Sequence, residues 1–220
     1  MNTTEIEKEI DYWLLINNNI DEKLKNLEGV ILVLHNSLEL SQCIDFFNKI
    51  KSNHFTRVLY ISLTRSYNYM RHVLEKKPIN QKQLFFIDVV SGFAFPPEEN
   101  IDNCLYHRPP RDLKTIKEII SFGIERTNPD IIIIDSLSQL INYSKLTGEE
   151  LKEFYSFLHD IKHQMLNIIN NTFILMFDTN MQSAFHPLVY PGFDLILKLE
   201  RKNQINHQLS CRERYPFSIL

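Results

Sequence analysis

Asp135 and Ser136 are the residues best placed to do chemistry. They lie in the run Pro129-Asp130-Ile131-Ile132-Ile133-Ile134-Asp135-Ser136-Leu137-Ser138. Four consecutive β-branched apolar residues precede them with no polar alternation, the pattern of a strand buried on both faces of a parallel sheet. In open α/β sheets, ligands sit just outside the carboxyl ends of such strands, where this carboxylate and hydroxyl fall. A second acid, Asp178, ends another apolar run, Thr172-Phe173-Ile174-Leu175-Met176-Phe177. Asn36, Ser37 and Ser41 follow a third, Val30-Ile31-Leu32-Val33-Leu34. Asn36, Ser37, Ser41, Asp135, Ser136 and Asp178 are therefore the candidate lining of a strand-end crevice that could take a nucleotide or another small ligand.

A phosphate-cradling loop would place G-x-x-x-x-G-K-[ST] after the first strand. Here His35 and Leu40 stand at the glycine positions, Ser41 at the lysine position and Gln42 at the hydroxyl position. The chain has only five glycines, and none lies between Val30 and Ser91. Backbone amides therefore have no glycine that would let them close on an anion, and no lysine meets its charge. ATP binding is disfavoured, no cofactor is expected, and Ser37 or Ser41 suits a helix cap instead.

Other chemically suggestive residues have plain readings beside the functional one. Arg65 and Arg71 border the crevice and could meet an anion, although arginines at a helix start are usually solvated. His159 and His163 lie four apart, as a metal pair would, but H-D-I-K-H lacks a third ligand and reads as a helix surface. Cys43, Cys104 and Cys211 are odd in number and far apart, so free thiols in a reducing cytoplasm are expected. A net charge of −3 gives no electrostatic case for nucleic acid or an anionic membrane. No apolar run approaches the roughly 20 residues that cross a bilayer.

The elements that must position these groups alternate between strand and helix. Apolar strands are expected at 30–34, 57–63, 84–92, 131–135 and 172–178, with helices from Cys43, near Tyr67, from Asp112 and from Glu149. This order predicts an α/β fold, a mostly parallel sheet with helices on both faces. Asp194–Glu200 and Gln208–Arg214 alternate and predict a C-terminal antiparallel edge hairpin turning at 203–206. Residues 1–28 carry Ile6, Ile10, Trp13, Leu14, Leu24 and Leu27 at helical spacing and predict N-terminal packing helices beside a domain spanning 29–220. Phe93–Arg111, with Pro96-Pro97 and Pro109-Pro110, predicts an extended, mobile loop suited to partner contact.

Taken in order, the chain resembles the RecA superfamily, and within it the KaiC-like archaeal branch. The matching pieces are Val58-Leu59-Tyr60-Ile61-Ser62-Leu63, Phe86-Ile87-Asp88-Val89-Val90-Ser91-Gly92, Tyr106-His107-Arg108-Pro109-Pro110-Arg111-Asp112-Leu113, Ile134-Asp135-Ser136-Leu137-Ser138 and Asp194-Leu195-Ile196-Leu197-Lys198-Leu199. The resemblance implies a three-layer RecA-like fold of the P-loop NTPase type, with Asp135 at the Walker B position that helps hold Mg²⁺ in active members. It departs at the lost P-loop, and at Thr64-Arg65, where active members often carry an acidic pair. The expected protein is therefore a non-catalytic, cytoplasmic module of the inactivated KaiC-like kind, with archaeal signalling or regulation implied. It would act through a protein partner or self-assembly, with Asp135 kept for structure, hydrogen-bonding the first loop.

Overall fold

The computed structural model of the chain describes residues 14–16, 28–35, 57–75, 83–94, 102–165, 172–181, 192–199 and 209–213. Among these residues nine strands form one sheet: β1 (Leu14–Ile16), β2 (Gly29–His35), β3 (Val58–Ser62), β4 (Leu84–Asp88), β5 (Cys104–Tyr106), β6 (Ile131–Asp135), β7 (Thr172–Asp178), β8 (Leu195–Leu199) and β9 (Leu209–Glu213). Their spatial order is β1-β9-β8-β2-β7-β6-β3-β4-β5. The seven strands from β8 to β5 run parallel, and β9 and β1 add antiparallel at one edge. Between the strands lie α1 (Tyr67–Leu74), α2 (Ser91–Ala94), α3 (Leu113–Thr127), α4 (Leu137–Ser144) and α5 (Gly148–Met165).

Side chains alternate across each strand, so the sheet sorts its residues into two cores. Val30, Leu32, Ile132, Ile134, Phe173 and Leu175 face one side and pack with α3, α4 and α5. Ile31, Val33, Tyr60, Ile133, Ile174 and Met176 face the other, where Tyr67, Met70 and Leu74 of α1 cover them. This is the expected three-layer α/β architecture, and the unalternating runs are buried on both faces for this reason. Among the described residues, no helix is long and apolar enough to cross a membrane.

Local chemistry sets the element ends. Asp112 caps α3, accepting from the Thr115 amide at 2.7 Å, and Asn128 ends the helix in the left-handed conformation at φ 42°. Gly29 opens β2 at φ 98°, and a Cβ there would lie 2.1 Å from the Asp194 carboxylate. Asp194 binds the Val30 amide at 2.8 Å, so the start of the first strand is latched to the segment leading into β8.

Three expectations change. Leu14–Ile16 are strand rather than helix: they pair antiparallel with β9, because an edge strand's open amides and carbonyls recruit a partner that local periodicity cannot reveal. The C-terminal hairpin forms, but β1 lies outside it at the sheet's edge. Phe93–Arg111 is not one extended loop: α2 includes Phe93 and Ala94, and Cys104–Tyr106 form β5 on the flank of β4. The remainder of the 1–28 helical reading, the helix from Cys43 and the hairpin turn lie outside the described residues.

Candidate functional site

The strands on the α1 side of the sheet end in polar groups. Across one row of the register stand Asp135 of β6, Ser62 of β3, Asp88 of β4 and Tyr106 of β5. Two residues further along, on the same face, His35 of β2 lies opposite Asp178 of β7. Parallel strands in register with period-two alternation place these side chains on a single face, which makes the row a consequence of topology.

Asp135 is 2% exposed, and two side chains close on its Oδ2. The Tyr60 hydroxyl donates at 2.5 Å, and the Arg65 guanidinium donates at 2.6 Å. Local structure aims Arg65. The Ser62 hydroxyl donates to the Arg65 carbonyl at 2.6 Å and accepts the Arg65 amide at 3.2 Å, so a tight turn leaves β3 toward β6. Ser66 then caps α1. A buried carboxylate has to be paired and hydrogen-bonded, and here a built-in cation does both. A divalent metal at the same oxygen would meet that guanidinium as a like charge.

Ser136 is 1% exposed and caps α4, accepting the Gln139 amide at 3.2 Å. Its hydroxyl also lies 2.9 Å from that of Ser138, which accepts the Asp178 amide at 3.2 Å and so ties α4 to the end of β7. The Asp135–Ser136 peptide is cis. The Asp178 carboxylate accepts the Asn180 amide at 2.9 Å, turning the chain after β7. Asp135, Ser136 and Asp178 therefore do come together at one end of the sheet. Asn36, Ser37 and Ser41 lie outside the described residues, as does any bond from the first loop to Asp135.

Three members of the row, Ser62, Asp88 and Tyr106, were not candidates from the sequence, and neither was Tyr60, two residues before Ser62. Tyr60, Ser62 and Asp88 end or nearly end apolar strands, and the repeated pattern of two apolar residues then Asp, Ile133-Ile134-Asp135 and Phe86-Ile87-Asp88, was the available signal. Asp88 is wholly buried. One oxygen accepts the Tyr67 amide and the Ser91 hydroxyl, both at 2.7 Å; the other accepts the Val90 and Ser91 amides at 2.8 and 2.9 Å. Its charge thus meets the opening amide of α1.

His35 is 5% exposed, and neither ring nitrogen has a hydrogen-bond partner among the described residues. Burial holds its pKa below the ordinary 6.5; the Asp135 and Asp178 carboxylates oppose that shift and Arg65 reinforces it. Burial likewise pushes the Cys104 thiol up to about 12, which leaves it protonated and inert. Arg71 pairs with Glu75 on the exposed face of α1. His159 is engaged by the Gly192 carbonyl at 3.1 Å, and the His163 side chain lies outside the described set. Among the described residues, no three His, Cys, Asp or Glu side chains are grouped to hold a metal.

No family model matches the chain, and no curated protein matches it. Solved structures do. The crystal structure of the flagellar accessory protein FlaH from Methanocaldococcus jannaschii superposes with a TM-score of 0.56 at 16% identity, covering 89% of this chain and 82% of that one. At that identity the likeness speaks to architecture, and the chain has a RecA-like fold.

Proposed function

We propose that this protein is a non-catalytic RecA-like module of the KaiC-like kind, working through a protein partner or self-assembly in a regulatory role. The observation that carries the reading is the Asp135 carboxylate, buried and closed by the Tyr60 hydroxyl and the Arg65 guanidinium. In this fold the carboxylate is the natural anchor for a nucleotide's Mg²⁺, and here an internal cation takes that role. The replaced glycine and lysine positions from His35 to Gln42 agree with it. FlaH is described as an accessory protein, which suits a reading in which the fold serves as a piece of a larger assembly.

Calorimetric titration with Mg-ATP tests the non-catalytic half, with no heat of binding expected. Micromolar affinity, or turnover abolished by Asp135→Ala, overturns it. Sedimentation of the purified chain over a concentration series tests self-assembly: concentration-dependent growth supports it, and a monomer at every concentration leaves only the partner. A second reading has its own observation. The ring of His35, buried beside Asp178 and without a hydrogen-bond partner among the described residues, suits a crevice that takes a small ligand. Melting the protein against a nucleotide and metabolite panel separates the two, since a stabilising ligand whose effect is lost in His35→Leu favours the crevice.

A further inference from the structure

Beyond the crevice, a cavity of about 730 Å³ opens where β5 leads into α3, lined by Gly92, His107, Arg108, Arg111, Asp112 and Thr115. Its charge is on balance positive, two arginines against the one carboxylate of Asp112. Asp112 spends its carboxylate on the amide and hydroxyl of Thr115, each at 2.7 Å. The Arg108 and Arg111 side chains are exposed and make no ion pair or hydrogen bond with the described residues. Between them stand Pro109 and Pro110. Proline locks its own φ and holds the residue before it extended, so Arg108-Pro109-Pro110-Arg111 is a stiff rod. Such a rod turns once in three residues, which brings Arg111 back to the side of Arg108 about 9 Å further on. The bordering of one cavity by both residues agrees with that geometry. The rod is also pinned, because the Ser144 hydroxyl of α4 donates to the Pro110 carbonyl at 3.0 Å. Gly92 lines the cavity too, and a Cβ there would lie 2.2 Å from the His107 carbonyl.

We infer that this cavity docks an acidic peptide segment of a partner protein, the two guanidiniums taking successive carboxylates on one face of an extended chain. Alternate residues of such a chain repeat about every 7 Å, within reach of two flexible arginines held about 9 Å apart. The planar guanidinium suits the carboxylate in a two-pronged geometry, and a pre-set rod lowers the ordering cost of binding. The inference stands apart from the crevice and holds whether or not the crevice binds nucleotide.

The test is fluorescence anisotropy of the intact chain with a short fluorescein-labelled peptide of alternating Glu and Ser. Binding that weakens with salt is expected, and Arg108→Gln with Arg111→Gln should raise Kd about ten-fold or more. Lys152→Gln, on the exposed face of α5, should leave it unchanged. Both arginines are exposed, so thermal melting of the double variant should match the parent. No binding by the parent chain overturns the inference, as does equal binding by the double variant. Displacement of the peptide by inorganic tripolyphosphate at lower concentration than by unlabelled peptide also overturns it, in favour of a polyphosphate ligand.

Discussion

Asp135 and Asp88 flank Ser62 in the same row of the sheet, both nearly or wholly buried, yet they are satisfied in opposite ways. Asp88 is held mainly by backbone: the amides of Tyr67, Val90 and Ser91, with the Ser91 hydroxyl, saturate both oxygens within the turn that follows β4 and the start of α1. Asp135 is held by side chains, a hydroxyl 75 residues away and a guanidinium 70 residues away. Backbone donors come with the fold and leave Asp88 as part of its architecture. Side-chain donors are a choice of residue, so the environment of Asp135 can be rewritten by single substitutions while the sheet stays the same. A strand-end carboxylate of this second kind is where a fold can lose or acquire a metal.

The contrast can be broken by measuring unfolding in urea. Asp88→Ala should have the largest effect, about 4 kcal/mol, since it strands three amides and a hydroxyl together. No single second-site change should recover it, because the stranded donors are mostly main chain. Asp135→Ala should cost less, about 3 kcal/mol, as Arg65 is 19% exposed and can partly rehydrate. Here a second-site change should help: Arg65→Met combined with Asp135→Asn should recover a large part of the loss, giving a coupling of about 1–3 kcal/mol in a double-mutant cycle. Equal costs at the two sites, or no coupling, would erase the distinction.

Smaller substitutions sharpen it. Tyr60→Phe removes one buried donor to a charged carboxylate and should cost about 2 kcal/mol, against about 1 kcal/mol for Ser91→Ala, where the Asp88 oxygen keeps its amide from Tyr67. The smallest effect is on pH dependence. His35 is held below 6.5 in the folded chain, so the unfolded chain takes up its proton first as pH falls. Its contribution to stability is complete above that value and is lost progressively as pH drops through it. His35→Leu should flatten this slope in urea midpoints measured between neutral and mildly acid pH, and an unchanged slope would place the titration elsewhere.

Much of this was legible before the structure. The runs at Val30–Leu34, Ile131–Ile134 and Thr172–Phe177 are long, β-branched or aromatic and unalternating, and all three are central strands. Asp112 ahead of Leu113 and Ile116 read as a helix start and is one. β5 was missed because Cys104-Leu105-Tyr106 is too short to show a period. It is a strand because β4 supplies partners, with the Phe86 amide on the Asn103 carbonyl and the His107 amide on that of Asp88. β1 was misread for the same reason. Short strands are decided by the edge they meet, and that edge is remote in sequence.

At the candidate site the division runs along the same line. Local sequence was enough to put Asp135, Ser136 and Asp178 at strand ends, since hydrophobic period and burial are properties of a few adjacent residues. It also determined that no glycine follows β2 before Gly92. Only the tertiary structure decided that Arg65 and Tyr60 reach the Asp135 carboxylate, that Asp88 shares its row, and that His35 is buried beside Asp178. Those facts depend on strand order and register, which bring residues dozens of positions apart to within hydrogen-bond distance, and no local pattern encodes that proximity.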